Sequence, residues 1–193
     1  MMASMNAVLI DPPAWFMDRR REMGGDRWDE VWEGVLHMAP QPTSDHQGIG
    51  SDLLPVLAAL VMPRGWRVRY ETSLYDPVQG ENNYRVPDLV VVDPARLSKR
   101  GVEGRAELVV EILSPNDESR AKLPFYARHG VQEVWLIEPD ARAIEIYTLR
   151  GATYFAVAPE RDGRVRSPLL GLEFATVDGP KLRASWVDGS AAI

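Results

Sequence analysis

The chain has 193 residues, a formal net charge of −6, 45% hydrophobic and 26% charged residues, and no cysteine. This is the composition of an ordinary globular protein long enough to bury a core. Without thiols there are no disulfides, no zinc ribbon and no cysteine nucleophile, so any metal must be held by carboxylates, histidines or carbonyls. No apolar run approaches the ~20 residues that a membrane helix needs. The opening MMASMNAVLIDPPAWF lacks the basic and apolar regions of a secretory signal, so a cytoplasmic location and no membrane partner are expected. The acidic balance argues against a general nucleic-acid binder. Basic clusters at 19–21, at Arg64, Arg67 and Arg69, and at Arg96, Lys99, Arg100 and Arg105 could form local patches, although each alone reads as a solvated face.

Residues 1–26, punctuated by Pro12-Pro13 and Gly24-Gly25, read as an irregular N-terminal arm, and 27–193 as a single domain. WDEVWEGVLHM (28–38) predicts a hairpin turning at Glu33-Gly34. A polar loop then ends in a cap at Ser44 or Asp45. Ile49, Leu53, Leu57, Leu60 and Val61 at helical spacing predict a helix over 46–62, kinked or restarted at Pro55. WRVRYETSLY (66–75) alternates as one strand, with Arg67 and Arg69 on the same face. Residues 76–83 read as a loop. The runs 86–92 and 108–113 are short, β-branched and apolar throughout, which suits central strands.

Ser114-Pro115-Asn116-Asp117 has the form of a helix start: a serine cap, a proline in the first turn and an acid three residues on. The helix that follows carries Lys122, Phe125, Tyr126 and His129 at spacings of three and four and ends at Gly130. Residues 131–139 and 143–149 predict two strands joined by a turn at 139–141, and 154–157 and 169–174 predict edge strands.

Two acids interrupt this pattern. Asp88 lies in the apolar run 86–92 directly after a proline, and Glu111 lies within 108–113. Alternation places Glu111 on a face with Glu107, Val109 and Leu113, with Leu108, Val110 and Ile112 on the other. An unpaired buried carboxylate costs several kcal/mol, and two in adjacent strands repel. A divalent cation between them removes both problems, since Mg²⁺ prefers hard oxygen ligands. The structural alternatives are that Asp88 satisfies loop amides and that Glu111 pairs with an arginine.

Lys122, early on the next helix, could return to the end of the same strand and act there as an activating cation. His46, in phase with Ile49 and Leu53, either is a hydrogen-bonded core histidine or faces the acids. Glu30 has the same double character, and Tyr126 reads most simply as a packing residue.

The segments WDEVWEGVLHMAP, RVPDLVVVD, ELVVEILSPND and FYARHGVQEVWLIEP, with His46 at the end of the loop between the first two, together resemble the Uma-type restriction endonuclease family of the PD-(D/E)XK nuclease superfamily. The resemblance covers roughly 28–149. It implies an α/β (α+β mixed sheet) restriction-endonuclease-like core with an N-terminal hairpin and extra C-terminal strands. It further implies Mg²⁺- or Mn²⁺-dependent hydrolysis of DNA phosphodiesters; a nuclease that cleaves both strands would suit a homodimer, which the aromatic and proline-rich arm at 12–17 could help form. Asp88 looks like the aspartate of the PD half-motif and Glu111 like the acid of the (D/E)XK half, both as metal ligands. The motif lysine should fall at position 113, which is Leu113; in this family the basic residue resembles one supplied by the next helix, here Lys122. Glu30 and His46 match site-proximal positions.

Two other functions compete with the endonuclease. One is a catalytically lapsed dimeric scaffold or nucleic-acid-binding module of the same fold, which Leu113 and the net charge favour. The other is a metal-free acid/base hydrolase, which needs one acid kept protonated near neutral pH.

Overall fold

The computed structural model describes residues 7–10, 12–114, 118–179 and 181–193. In chain order the elements are β1 (Ala7–Leu9), α1 (Ala14–Glu22), β2 (Glu30–Trp32), β3 (Val35–Met38), α2 (Ser44–Val61), β4 (Arg67–Tyr70), β5 (Leu74–Asp76), β6 (Gly80–Arg85), β7 (Leu89–Val92), β8 (Val102–Glu103), β9 (Leu108–Ile112), α3 (Leu123–Arg128), β10 (Glu133–Glu138), β11 (Ala143–Arg150) and β12 (Thr153–Ala156). Four strands follow, β13 (Val165–Arg166), β14 (Glu173–Val177), β15 (Lys181–Trp186) and β16 (Gly189–Ala192). No helix among the described residues is long and apolar enough to cross a membrane.

The central sheet has six strands in the order β12-β11-β10-β9-β7-β4. Its β9–β10 pair is parallel and its other pairs are antiparallel, so the sheet is mixed as expected. Strands β7 and β9 are buried along their whole length because both of their faces are covered. Leu89, Val91, Leu108, Val110 and Ile112 meet the apolar stripe of α2 and the small C-terminal sheet β13-β14-β15-β16. Val90, Val92 and Val109 meet Phe125, Tyr126 and Val131 on the other side. Two covered faces are the reason these strands read as unbroken apolar runs rather than alternating ones.

A second six-stranded sheet, ordered β1-β3-β2-β6-β5-β8, contains the predicted hairpin. Its turn residues Glu33 and Gly34 have φ of 52° and 89°, the pair of positive values that a tight two-residue hairpin turn requires.

Several boundaries differ from the sequence expectation for identifiable reasons. The segment 66–75 is not one strand: Glu71 adopts φ 43°, and there the chain leaves the central sheet after β4 to enter the second sheet as β5. The polar segment GENN was expected to be loop but starts β6, whose ladder partners are β2 and β5. Glu81 and Asn82 are exposed and the buried Asn83 is polar, so apolar periodicity carries no signal there. The cap of α2 is Thr43, one residue before the expected serine; its side chain accepts from the His46 amide at 3.3 Å, and α2 runs through Pro55. Within the expected irregular arm, residues 14–22 are helical and β1 pairs with β3. The start expected at 114–117 falls largely outside the described residues. Lys122 closes a 3-10 turn, Ser119–Lys122, ahead of the short α3, rather than lying on the helix itself. The strand expected at 169–174 begins only at Glu173.

The C-terminal sheet is tied to the core through a buried acid. Glu133, on β10, accepts from Ser167 Oγ at 2.7 Å, Trp135 Nε1 at 3.0 Å and the Leu169 amide at 2.6 Å. Burial raises its carboxyl above the usual glutamate range, against these three bonds, which lower it. A raised folded-state pKa means that the contribution to stability is full below the unfolded value and is lost as pH rises through the folded one. Glu133→Ala strands three donors and is expected to cost about 3 kcal/mol in urea unfolding. The stability gap between wild type and Glu133→Gln should widen as the pH is lowered from neutrality toward the ordinary glutamate range; a gap independent of pH would show that Glu133 does not titrate differently on folding.

Candidate functional site

The β7–β9 ladder sets the site. Leu89 lies opposite Val110, so continuing the antiparallel register by one residue brings Asp88 across from Glu111, at the carboxyl end of β9. The Ile112 amide donates to Asp88 Oδ2 at 2.6 Å. Asp88 Oδ1 is 3.3 Å from His46 Nε2, which enters from the first turn of α2. Both structural alternatives therefore find a counterpart: Asp88 satisfies a backbone amide, and Glu111 has a cationic partner, although that partner is a lysine.

Lys122 Nζ lies 3.1 Å from Glu111 Oε2 and 2.8 Å from Glu30 Oε1. Tyr126, expected to be a packing residue, donates its hydroxyl to Glu111 Oε1 at 2.5 Å. Glu30 in turn accepts from Trp32 Nε1 at 2.6 Å and from the Val86 amide at 2.8 Å. The second sheet, through β2, thus reaches the end of the central sheet, and Glu30 links the two through Lys122. The six residues singled out from the sequence fall into two bonded groups, Glu30, Lys122, Glu111 and Tyr126 in one and His46 and Asp88 in the other, which adjoin where the Ile112 amide, next to Glu111 in the chain, donates to Asp88.

The electrostatics are unbalanced. Burial, together with the nearby carboxylates of Asp88 and Glu30, pushes Glu111 up to about 8 against the opposing pull of Lys122 and Tyr126. For Lys122, burial alone would lower the pKa, but the carboxylates of Glu111 and Glu30 win and hold the ammonium firmly protonated. Burial also opposes charging of His46, yet its contact with Asp88 raises it overall. Lys122 answers Glu30 and Glu111, His46 answers Asp88, and repulsion between the three carboxylates adds to the larger effect of burial in raising Glu111.

That repulsion is what a divalent cation relieves, and Asp88 and Glu111 are oxygen donors from adjacent strands that line one cleft of about 110 Å³. Among the described residues no three histidine or acidic side chains converge tightly enough to form a ready cage. The fit is thus of two protein carboxylates, with the remaining positions left to water or substrate, as is common for Mg²⁺.

Sequence reasoning passed over other residues of this cleft, notably Trp28, Trp32, His37 and Glu118. A signal existed: Glu30 is paired with His37 across the hairpin, so the two share a face.

The basic clusters are largely neutralised. Arg20 pairs with Asp29, Arg100 with Glu103 and Arg105 with Glu107. Arg67 and Arg69 donate only to neighbouring backbone carbonyls at Trp66 and Val68 among the described residues. The register Arg69–Val90–Val109 puts both arginines on the sheet face that carries Glu111, at the β4 edge.

Comparison with known proteins follows the same lines. A crystal structure of "a putative nuclease belonging to DUF820" from Anabaena variabilis matches with a TM-score of 0.59 at 24% identity, covering 74% of this chain and 83% of that one. That likeness supports the restriction-endonuclease-like fold. No protein of curated function matches the sequence. The family model Uma2, described as "Putative restriction endonuclease", matches residues 19–178. With most of its length matched, this chain belongs to the Uma2 family of restriction-endonuclease-like proteins.

Proposed function

We propose that the protein is a metal-dependent DNA endonuclease, with Asp88 and Glu111 as ligands of Mg²⁺ or Mn²⁺ and Lys122 as the activating cation. The observation that carries this reading is the surplus of buried carboxylate at Glu111, answered by a single lysine. A structural ion pair would balance its charges, whereas this group spends folding stability on keeping acids together. Bound at these carboxylates, a divalent ion would lower the pKa of a water and polarise a phosphoryl oxygen.

The chain's own residues supply the rest. Tyr126 fixes one Glu111 oxygen, and His46 and the Ile112 amide fix Asp88. Glu30 holds the Lys122 ammonium beside Glu111, where it can orient the attacking water or neutralise charge developing on the phosphate. Arg67 and Arg69 are candidate phosphate contacts at the sheet edge. A homodimer fits an enzyme that cuts both strands, and a cytoplasmic location fits the lack of a membrane-crossing helix among the described residues.

The scaffold reading draws on Leu113 at the motif lysine position and on the engagement of Lys122 with two acids. The raised carboxyl of Glu111 meets the requirement of the metal-free acid/base hydrolase.

Calorimetric titration with Mg²⁺ and Mn²⁺ separates these readings. Wild type is expected to bind, Glu111→Ala to lose binding, and Lys122→Ala to retain binding while losing about a hundredfold or more in DNA cleavage rate. Absence of binding at millimolar ion, with DNA present, would favour the scaffold; cleavage that persists in chelator would favour acid/base chemistry. Glu111→Gln relieves the like-charge repulsion and is expected to melt at or above the wild-type temperature while abolishing cleavage. A large drop in melting temperature would instead assign Glu111 a structural role.

A further inference from the structure

The cleft that holds the acids has a second wall, made of flat groups. Phe125, Arg85, Trp32 and His37 form a column: the Arg85 guanidinium lies 4.2 Å from the Phe125 ring centre and 4.3 Å from that of Trp32. Trp32 and His37 stack at 4.0 Å with their planes 16° apart. His37 on β3 and Arg85 on β6 approach Trp32 from the two opposite sides of β2, so they flank it, and among the described residues the column ends on His37, which lines the cleft.

Each layer is held. Arg85 is buried, and its Nη1 donates to the carbonyls of Val31 and Tyr84 and to Asn83 Oδ1. The Trp32 indole donates to Glu30, and His37 Nδ1 lies 2.9 Å from Glu118 Oε2. Glu30 also contacts Lys122, so a single carboxylate joins the column to the acid–lysine group.

We propose that His37 is a stacking platform for an unpaired nucleobase, so that the site takes DNA with a single-stranded or extruded nucleotide in preference to an intact duplex. This deepens the endonuclease reading and rests on it. Unpaired bases are bound by stacking on aromatic side chains, histidine included, and a pre-formed column of planar groups extends naturally by one more. A base pair within a stacked duplex cannot present its π-face to such a site without first being opened.

The test uses the full chain in chelator, so that no cleavage occurs, with a short single-stranded oligodeoxynucleotide carrying one 2-aminopurine and with the same strand in duplex. Wild type is expected to bind the single strand more tightly and to quench its fluorescence. His37→Ala should weaken that binding about tenfold and abolish the quenching, while His37→Phe, which keeps a flat ring but not the bond to Glu118, should restore both. Quenching that is absent in wild type, or that His37→Ala retains, overturns the stacking platform while leaving nucleic-acid binding in place, as does equal or tighter binding of the duplex. Should His37→Ala fail to fold, the Phe variant decides alone: loss of quenching there overturns the proposal. If neither DNA form binds, the platform falls, while the metal-dependent endonuclease reading is decided separately by the Mg²⁺ and Mn²⁺ titration with DNA present.

Discussion

Lys122 is the point on which the site depends. Its ammonium is contributed by a 3-10 turn, Glu111 by the central sheet and Glu30 by the second sheet, so one buried cation ties together three separately formed parts of the chain. Each buried ion costs several kcal/mol of desolvation, and the mutual attraction repays this only where the geometry is good and the remaining oxygens are satisfied. Here they are satisfied unevenly. Glu30 has an indole, an amide and the ammonium, whereas among the described residues Glu111 has a hydroxyl and its share of the same ammonium.

Glu133 provides an internal control for that reading. It too is a glutamate buried in the central sheet and raised by burial, but three donors close around it and no other acid contributes to its shift. It lies level with Leu108 at the start of the parallel β9–β10 pair, whereas Glu111 lies near the other end, level with Leu136. In open α/β sheets the carboxyl ends of parallel strands are where ligands are bound, because the chain diverges there and leaves a crevice. The two glutamates therefore separate by environment: one fastens a C-terminal sheet to the core, and the other faces a cleft among like charges.

The second sheet gives that cleft its remaining chemistry. Positive φ at Glu71 turns the chain out of the central sheet after β4, and the antiparallel strands that follow return β6 beside the hairpin strand β2. Glu30 and Trp32 are two residues apart on β2 and so emerge on one face, Glu30 directly across from His37 on β3 and Trp32 diagonal to it. An acid that holds the lysine and a stack of planar groups are thereby products of the same strand alternation.

Much of this was legible in the chain itself. The apolar runs around Asp88 and Glu111, the helical spacing of Ile49, Leu53 and Leu57, and the Glu33-Gly34 turn are local signals, because period and turn chemistry are properties of neighbouring residues. They were sufficient to mark the mixed sheet, its main helix and the two unusual acids. The break at Glu71, the strand hidden in GENN and the helix at 14–22 were not legible, since each depends on partners far along the chain or lacks an apolar face. Above all, Tyr126 as donor to Glu111, Glu30 as holder of Lys122 and the column ending on His37 were decided only by tertiary structure. Sequence spacing sets which side chains share a face of one element, but which faces meet follows from the register and packing of two sheets.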